Sequence, residues 1–129
     1  MNNLVRILCV DDSPSVQQMV GFILKKAGFE PISANNGREG IEKAQSLQPD
    51  LILMDIMMPD ISGIQAIKQI KADKTCQHIP ILVLSAYSNT KVIDQAMEAG
   101  AAAFLEKTIV PEKLVQAIKS HLKQDEPSA

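Results

Sequence analysis

The chain has 129 residues, which fits one domain, and 46% of them are hydrophobic, too many for a disordered segment. Aromatics make up only 3% and Trp is absent, so the core must be aliphatic, and the aromatic platforms that bind single-stranded nucleic acid are excluded. A net charge of −2, with no dense basic run, argues against a nucleic-acid or membrane footprint.

The N-terminal MNNLVRILCV has no charged n-region, no long h-region and no small-residue cleavage site, so it does not read as a signal peptide. No apolar run is long enough to cross a bilayer, and the cytoplasm is the expected compartment. Cys9 and Cys76 are too far apart in sequence for a metal-type or redox pair, and Cys9 reads as a small buried hydrophobe.

Five short apolar runs alternate with five segments of helical period. The first run covers residues 4–10. After it, Ser13 and Pro14 open a helix with apolar positions at Val16, Met19, Val20, Ile23, Leu24 and Ala27, stopped by Gly28. The second run, 30–34, contains Pro31 and is half polar, which predicts an edge strand. Asn36 with Glu39 caps the next helix, whose inward face is Ile41, Ala44 and Leu47 and which ends before Pro49.

The third run is 51–54. Ser62 followed by Gln65 forms a capping box for a helix using Ile64, Ile67 and Ile70. The fourth run is 79–84, and its helix uses Val92, Ile93, Ala96 and Met97, closed by Gly100. The fifth run is 101–105, and the last helix starts at Pro111 and uses Leu114, Val115, Ile118 and Leu122. Four of the runs are nearly continuous in hydrophobicity, as parallel strands covered on both faces require. Alternation of strand and helix predicts right-handed βαβ units and a doubly wound sheet. Residues 1–123 form the expected domain and 124–129 a flexible polar tail.

In such a sheet, ligands bind beyond the carboxyl ends of the strands, where strand order reverses. The first strand ends in Asp11-Asp12, the third in Asp55 and the fourth in Ser85, and Lys107 follows the fifth. With strand order 2-1-3-4-5 the three carboxylates converge, which needs a cation or a proton for relief. Oxygen donors without His or Cys favour Mg²⁺. Lys107 supplies a point charge suited to phosphate, and the Ser85 hydroxyl a further donor. The set fits phosphoryl transfer to Asp55. Asp11-Asp12-Ser13-Pro14 alone would suit an ordinary helix N-terminus, but with Asp55 and Lys107 present the site reading prevails.

The segments ILCVDDSPSV, PDLILMDIMMPDISGI, PILVLSA and GAAAFLEK, followed by PEKL, resemble the receiver domain of two-component response regulators, close to the single-domain chemotaxis type. The resemblance spans residues 4–122. It implies a flavodoxin-like (βα)₅ fold, with Asp55 as phosphoacceptor. Asp12 would bind Mg²⁺ directly and Asp11 through water, with the Met57 carbonyl completing the protein ligands. It also implies Ser85 as switch hydroxyl, Ala86 as a backbone N–H donor, Lys107 as phosphate partner and Phe104 as the rotating aromatic. By sequence alone, Phe104 reads as core.

The implied donor is a phosphohistidine on a sensor histidine kinase or phosphotransfer protein. The implied output is a separate effector protein bound through the fourth helix, fifth strand and fifth helix, by a monomer or a phosphorylation-dependent dimer. Catalysis would be confined to the chain's own phosphorylation and dephosphorylation. A degenerate receiver acting as a plain protein-binding module is the alternative. A haloacid-dehalogenase-like phosphohydrolase usually has a second Asp where Met57 stands, and the cobalamin motif Asp-x-His-x-x-Gly is absent. A flavin phosphate suits three acids poorly.

The family's lysine is usually followed by Pro, here Thr108, so the strand-five loop has either a trans peptide and a shifted path or a strained cis bond. Val110 stands where a capping Asp is common, which predicts a loosely started last helix. Met54 is expected in the core, Met58 against the loop and Met57 exposed beside the phosphate site. His78 and His121 are expected at the surface.

Overall fold

A computed structural model describes residues 4–86 and 89–122 of the chain. The expected polar tail at 124–129 lies outside the described residues. The elements run β1 (Arg6–Val10), α1 (Pro14–Lys26), β2 (Glu30–Ala34), α2 (Gly37–Leu47), β3 (Leu51–Met54), α3 (Gly63–Ala72), β4 (Ile81–Ser85), α4 (Thr90–Ala99), β5 (Ala103–Glu106) and α5 (Pro111–His121). All strand pairs are parallel and the order is β2-β1-β3-β4-β5, so the expected fold and strand order hold.

The continuous apolar runs divide residue by residue between two layers, because successive side chains in a strand point to opposite faces. Leu8, Val10, Ile52, Met54, Ile81 and Val83 face one layer with Ala44 of α2, Ala66, Ile67 and Ile70 of α3 and Ala96 of α4. Ile7, Cys9, Leu51, Leu53, Leu82 and Leu84 face the other, against Val20, Ile23 and Leu24 of α1 and Leu114 and Ile118 of α5. Both cysteines are buried free thiols. His78 is exposed, while His121 is half-buried in the last turn of α5 with Nδ1 2.9 Å from the Ala117 carbonyl.

Helix starts follow the predicted caps. The Ser13, Asn36 and Ser62 side chains accept hydrogen bonds from Val16, Glu39 and Gln65 N–H respectively, and Asn89 does the same for Val92. Val110 offers no side-chain cap, as its apolar side chain dictates.

β4 and β5 both start later than the sequence expectation, because a neighbouring element takes the backbone first. Ile79 donates to the Cys76 carbonyl in a turn and Pro80 has no N–H, so β4 begins at Ile81 and extends to Ser85. Ala101 donates to the Ala96 carbonyl, closing α4 at the positive-φ Gly100, so β5 begins two residues later than expected. β1 likewise begins late, at Arg6, and Leu4 is exposed.

The entry to α3 is set by a close approach. A Cβ at Gly63 would lie 2.0 Å from the Asp55 carbonyl oxygen and 2.8 Å from Ile56 Cα. Both obstacles are backbone, so no rotamer change can relieve them. Gly63→Ala should therefore lower stability by about 2–3 kcal/mol, at the upper end for overpacking. A urea midpoint equal to that of wild type would contradict this account.

Candidate functional site

β1 and β3 are neighbours, and Val10 pairs with Met54 in their last register position. The next residue of each chain segment is Asp11 and Asp55, so the two acids leave the sheet side by side. The backbone fixes both: Asp55 N–H donates to Val10 C=O and Asp11 N–H donates to Ala34 C=O, each at 3.0 Å. Asp11 is 1% exposed and Asp55 4% exposed, whereas Asp12 is open to solvent.

β5 brings the counter-charge. Ser85 pairs with Glu106, and Lys107 N–H donates to Ser85 C=O at 2.9 Å. From there Lys107 Nζ reaches Asp11 Oδ2 at 2.8 Å and Asp55 Oδ1 at 3.3 Å. The other Asp11 oxygen accepts Ser13 N–H at 2.9 Å. No cis peptide occurs among the described residues, so Lys107–Thr108 is trans, and the lysine reaches both carboxylates with Thr in place of the usual Pro.

Burial, then the Asp11 charge, push the Asp55 carboxyl from its ordinary 3.8 up to about 6, with Lys107 pulling the other way. Burial lowers Lys107, but hydrogen bonding to Asp11 and the charges of Asp55 and Asp11 carry it above the usual lysine value. Cys9, beneath the site, is pushed up to about 12 by burial and Asp11, so it stays a thiol and is no nucleophile.

Carboxylate oxygens of Asp11, Asp12 and Asp55 lie within 4.8 Å of one another. One lysine cannot neutralise three acids, and the donors are all hard oxygens with one exposed member. That set suits Mg²⁺, which keeps part of its water shell, and does not suit a closed zinc cage.

The remaining predicted residues surround this corner. Ser85 is fully buried at the end of β4, and Ala86 follows it, exposed. Met57 is 58% exposed, Met54 is core, and Met58 packs against the core from the loop, each as expected. Phe104 pairs with Val83 and packs half-buried against the layer of α2, α3 and α4. It also lines a groove of about 380 Å³ with Thr108, Val110 and Lys113.

Two polar residues that hold the corner were not singled out from sequence. Asp60, in the loop after β3, accepts Gly37 N–H at 3.0 Å and Arg38 N–H at 2.8 Å, pinning that loop to the first turn of α2. These and further backbone hydrogen bonds, outweighing desolvation, hold its carboxyl down to about 2. Its sequence context carries no signal, since its partners lie over twenty residues away. Gln17 of α1 does carry one: it is a polar residue on the inward stripe of Val20 and Leu24.

The family profile described as "Response regulator receiver domain" matches residues 7–119. Among curated proteins, the chain is 40% identical to the chemotaxis protein CheY of Thermotoga maritima, over 88% of this chain and 93% of that one. It is 35% identical to the phosphate regulon transcriptional regulatory protein PhoB of Escherichia coli, covering 96% of this chain but only 54% of that protein. Among solved structures, the Vibrio cholerae chemotaxis protein CheY4 superposes with a TM-score of 0.88 at 32% identity, over 93% of this chain and all of the other.

The raised Asp55 value has a thermodynamic consequence. A carboxyl lifted on folding favours the protonated form, so its contribution is present below the unfolded value and lost as pH rises through the folded one. In EDTA, Asp55→Asn should therefore be more stable than wild type by roughly 1–3 kcal/mol at pH 8, and the gain should shrink to nothing near pH 4. Urea unfolding across that range checks it; a gain independent of pH contradicts it.

Proposed function

The chain belongs to the response regulator receiver domain family of two-component signalling, and we propose that it is a phosphorylation switch whose acceptor is Asp55. The observation that carries this reading is the convergence of Asp11, Asp55 and Lys107 from three strand ends into one buried corner.

In the proposed reaction an Asp55 oxygen attacks the phosphorus of a phosphohistidine. The new O–P bond forms as the N–P bond breaks, and the electron pair returns to the leaving imidazole. The donor histidine belongs to a sensor histidine kinase or a phosphotransfer protein. Asp55 reacts as the carboxylate, which its raised value still allows at neutral pH. Asp11, Asp12, Asp55 and the Met57 carbonyl would hold Mg²⁺, which when bound offsets the charge of the transferring phosphoryl oxygens. Lys107, already bridging Asp11 and Asp55, is placed to turn toward the new group. Ala86 N–H and the Ser85 hydroxyl supply further donors on the β4 side.

The product adds about −1.5 to −2 charge at Asp55. Ser85 is drawn toward it, Phe104 moves into the space released, and the face of α4, β5 and α5 changes shape for an effector protein. The phosphoryl group biases an existing equilibrium between two states of that face. Phe104 has no hydroxyl, so its inward state leaves no polar group unpaired. Met57, apolar and exposed beside Asp55, slows the approach of hydrolytic water. The chain thus catalyses its own phosphorylation and dephosphorylation, in the cytoplasm.

Incubation with acetyl phosphate and Mg²⁺ followed by mass spectrometry should show one added phosphoryl group on wild type and none on Asp55→Asn. An unmodified wild type would leave the protein-binding module as the better reading. Ser85→Ala should take up the group yet fail to show the wild-type change in β5 and α4 amide resonances; full switching would remove the proposed coupling. Met57→Asn should shorten the lifetime of the acyl phosphate, and an unchanged lifetime removes the shielding role.

A further inference from the structure

Gln17 lies one turn into α1, and its half-buried carboxamide faces the strand ends. Nε2 is 3.0 Å from the Cys9 carbonyl, 3.0 Å from the Asp11 carbonyl and 2.9 Å from the Ala34 carbonyl. These acceptors belong to β1, to the first residue beyond β1, and to the last residue of β2. A primary amide has two N–H groups, so two donors are shared among three carbonyls.

The surrounding bonds make this a closed arrangement. Ala34 C=O also accepts Asp11 N–H at 3.0 Å, and Gln17's own N–H donates to Ser13 C=O at 3.0 Å, opening α1. Asp11 is thereby held at its N–H through Ala34, at its carbonyl by Gln17, and at its carboxylate by Ser13 N–H and Lys107. Asp12 is exposed, and a side chain in solvent takes its position from its backbone. Its peptide link to Asp11 is the one whose carbonyl Gln17 grips.

We infer that Gln17 is a positioning residue for the acidic corner: its carboxamide fixes where the Asp11–Asp12 backbone leaves β1, and so sets the spacing of the carboxylates toward a divalent cation. The inference rests on the metal-dependent reading above and deepens it. A group that only stapled α1 to the sheet would affect stability and leave cation binding alone.

The test is calorimetric titration of Mg²⁺ into the full chain, with urea midpoints measured alongside. Gln17→Met keeps length and volume but removes both donors. Ile118→Val, on the buried face of α5, serves as a destabilised control away from the site. Gln17→Met should weaken Mg²⁺ binding about tenfold, the low end for groups that orient metal ligands, while Ile118→Val binds as wild type. In metal-free protein, the Asp11 and Asp12 amide resonances should shift in Gln17→Met and stay in place in Ile118→Val.

Equal Mg²⁺ affinity in wild type and Gln17→Met overturns the inference alone, as does an equal loss in Ile118→Val. A wild type that binds no Mg²⁺ overturns the metal reading and the inference together. If Gln17→Met does not fold, Gln17→Asn, which keeps the amide but falls one methylene short, takes its place with the same expected loss and the same overturning result.

Discussion

Everything at the carboxyl end of this sheet depends on holding like charges together against their repulsion. Asp11 and Asp55 are both buried, in the low-dielectric setting where an uncompensated charge costs most. The fold meets that cost with Lys107 and with Ser13 N–H on Asp11, and the rest shows in the raised Asp55 carboxyl. None of these is complete compensation. The corner therefore retains an unmet demand for positive charge, as the acid cluster of a hard-cation site would. A better-neutralised corner would be more stable and less receptive.

Close backbone packing holds the arrangement in place. Gly63 lets α3 start against the Asp55 carbonyl, and Asp60 ties the intervening loop to α2. Gln17 ties the opposite wall, through α1, to the ends of β1 and β2. The carboxylates are thus positioned by elements from both faces of the sheet.

Most of this was legible in the chain. Apolar runs such as 51–54, short and continuous, read as strands covered on both faces, and the acids at their ends followed from where such sheets place ligands. Caps at Ser13, Asn36 and Ser62 were readable because the bonds they make are local. The errors lie at strand edges, where a neighbouring turn or helix end takes the backbone N–H. Ala101 looked like strand but its N–H closes α4, and Ile79 looked like strand but its N–H closes a turn. Asp60 was invisible because its partners are distant in sequence, whereas Gln17 broke an apolar stripe and could have been noticed. The trans Lys107–Thr108 link lay beyond sequence reasoning, which offered both isomers.

β5 is a border strand, hydrogen-bonded among the described residues to β4 alone, and its residues are only partly covered. Yet it carries the ammonium that spans the ends of two interior strands. The least anchored ribbon of the sheet is thus leashed electrostatically to its most deeply anchored ones. A margin that one ladder of hydrogen bonds would hold alone is fastened a second time, by charge, at its carboxyl end.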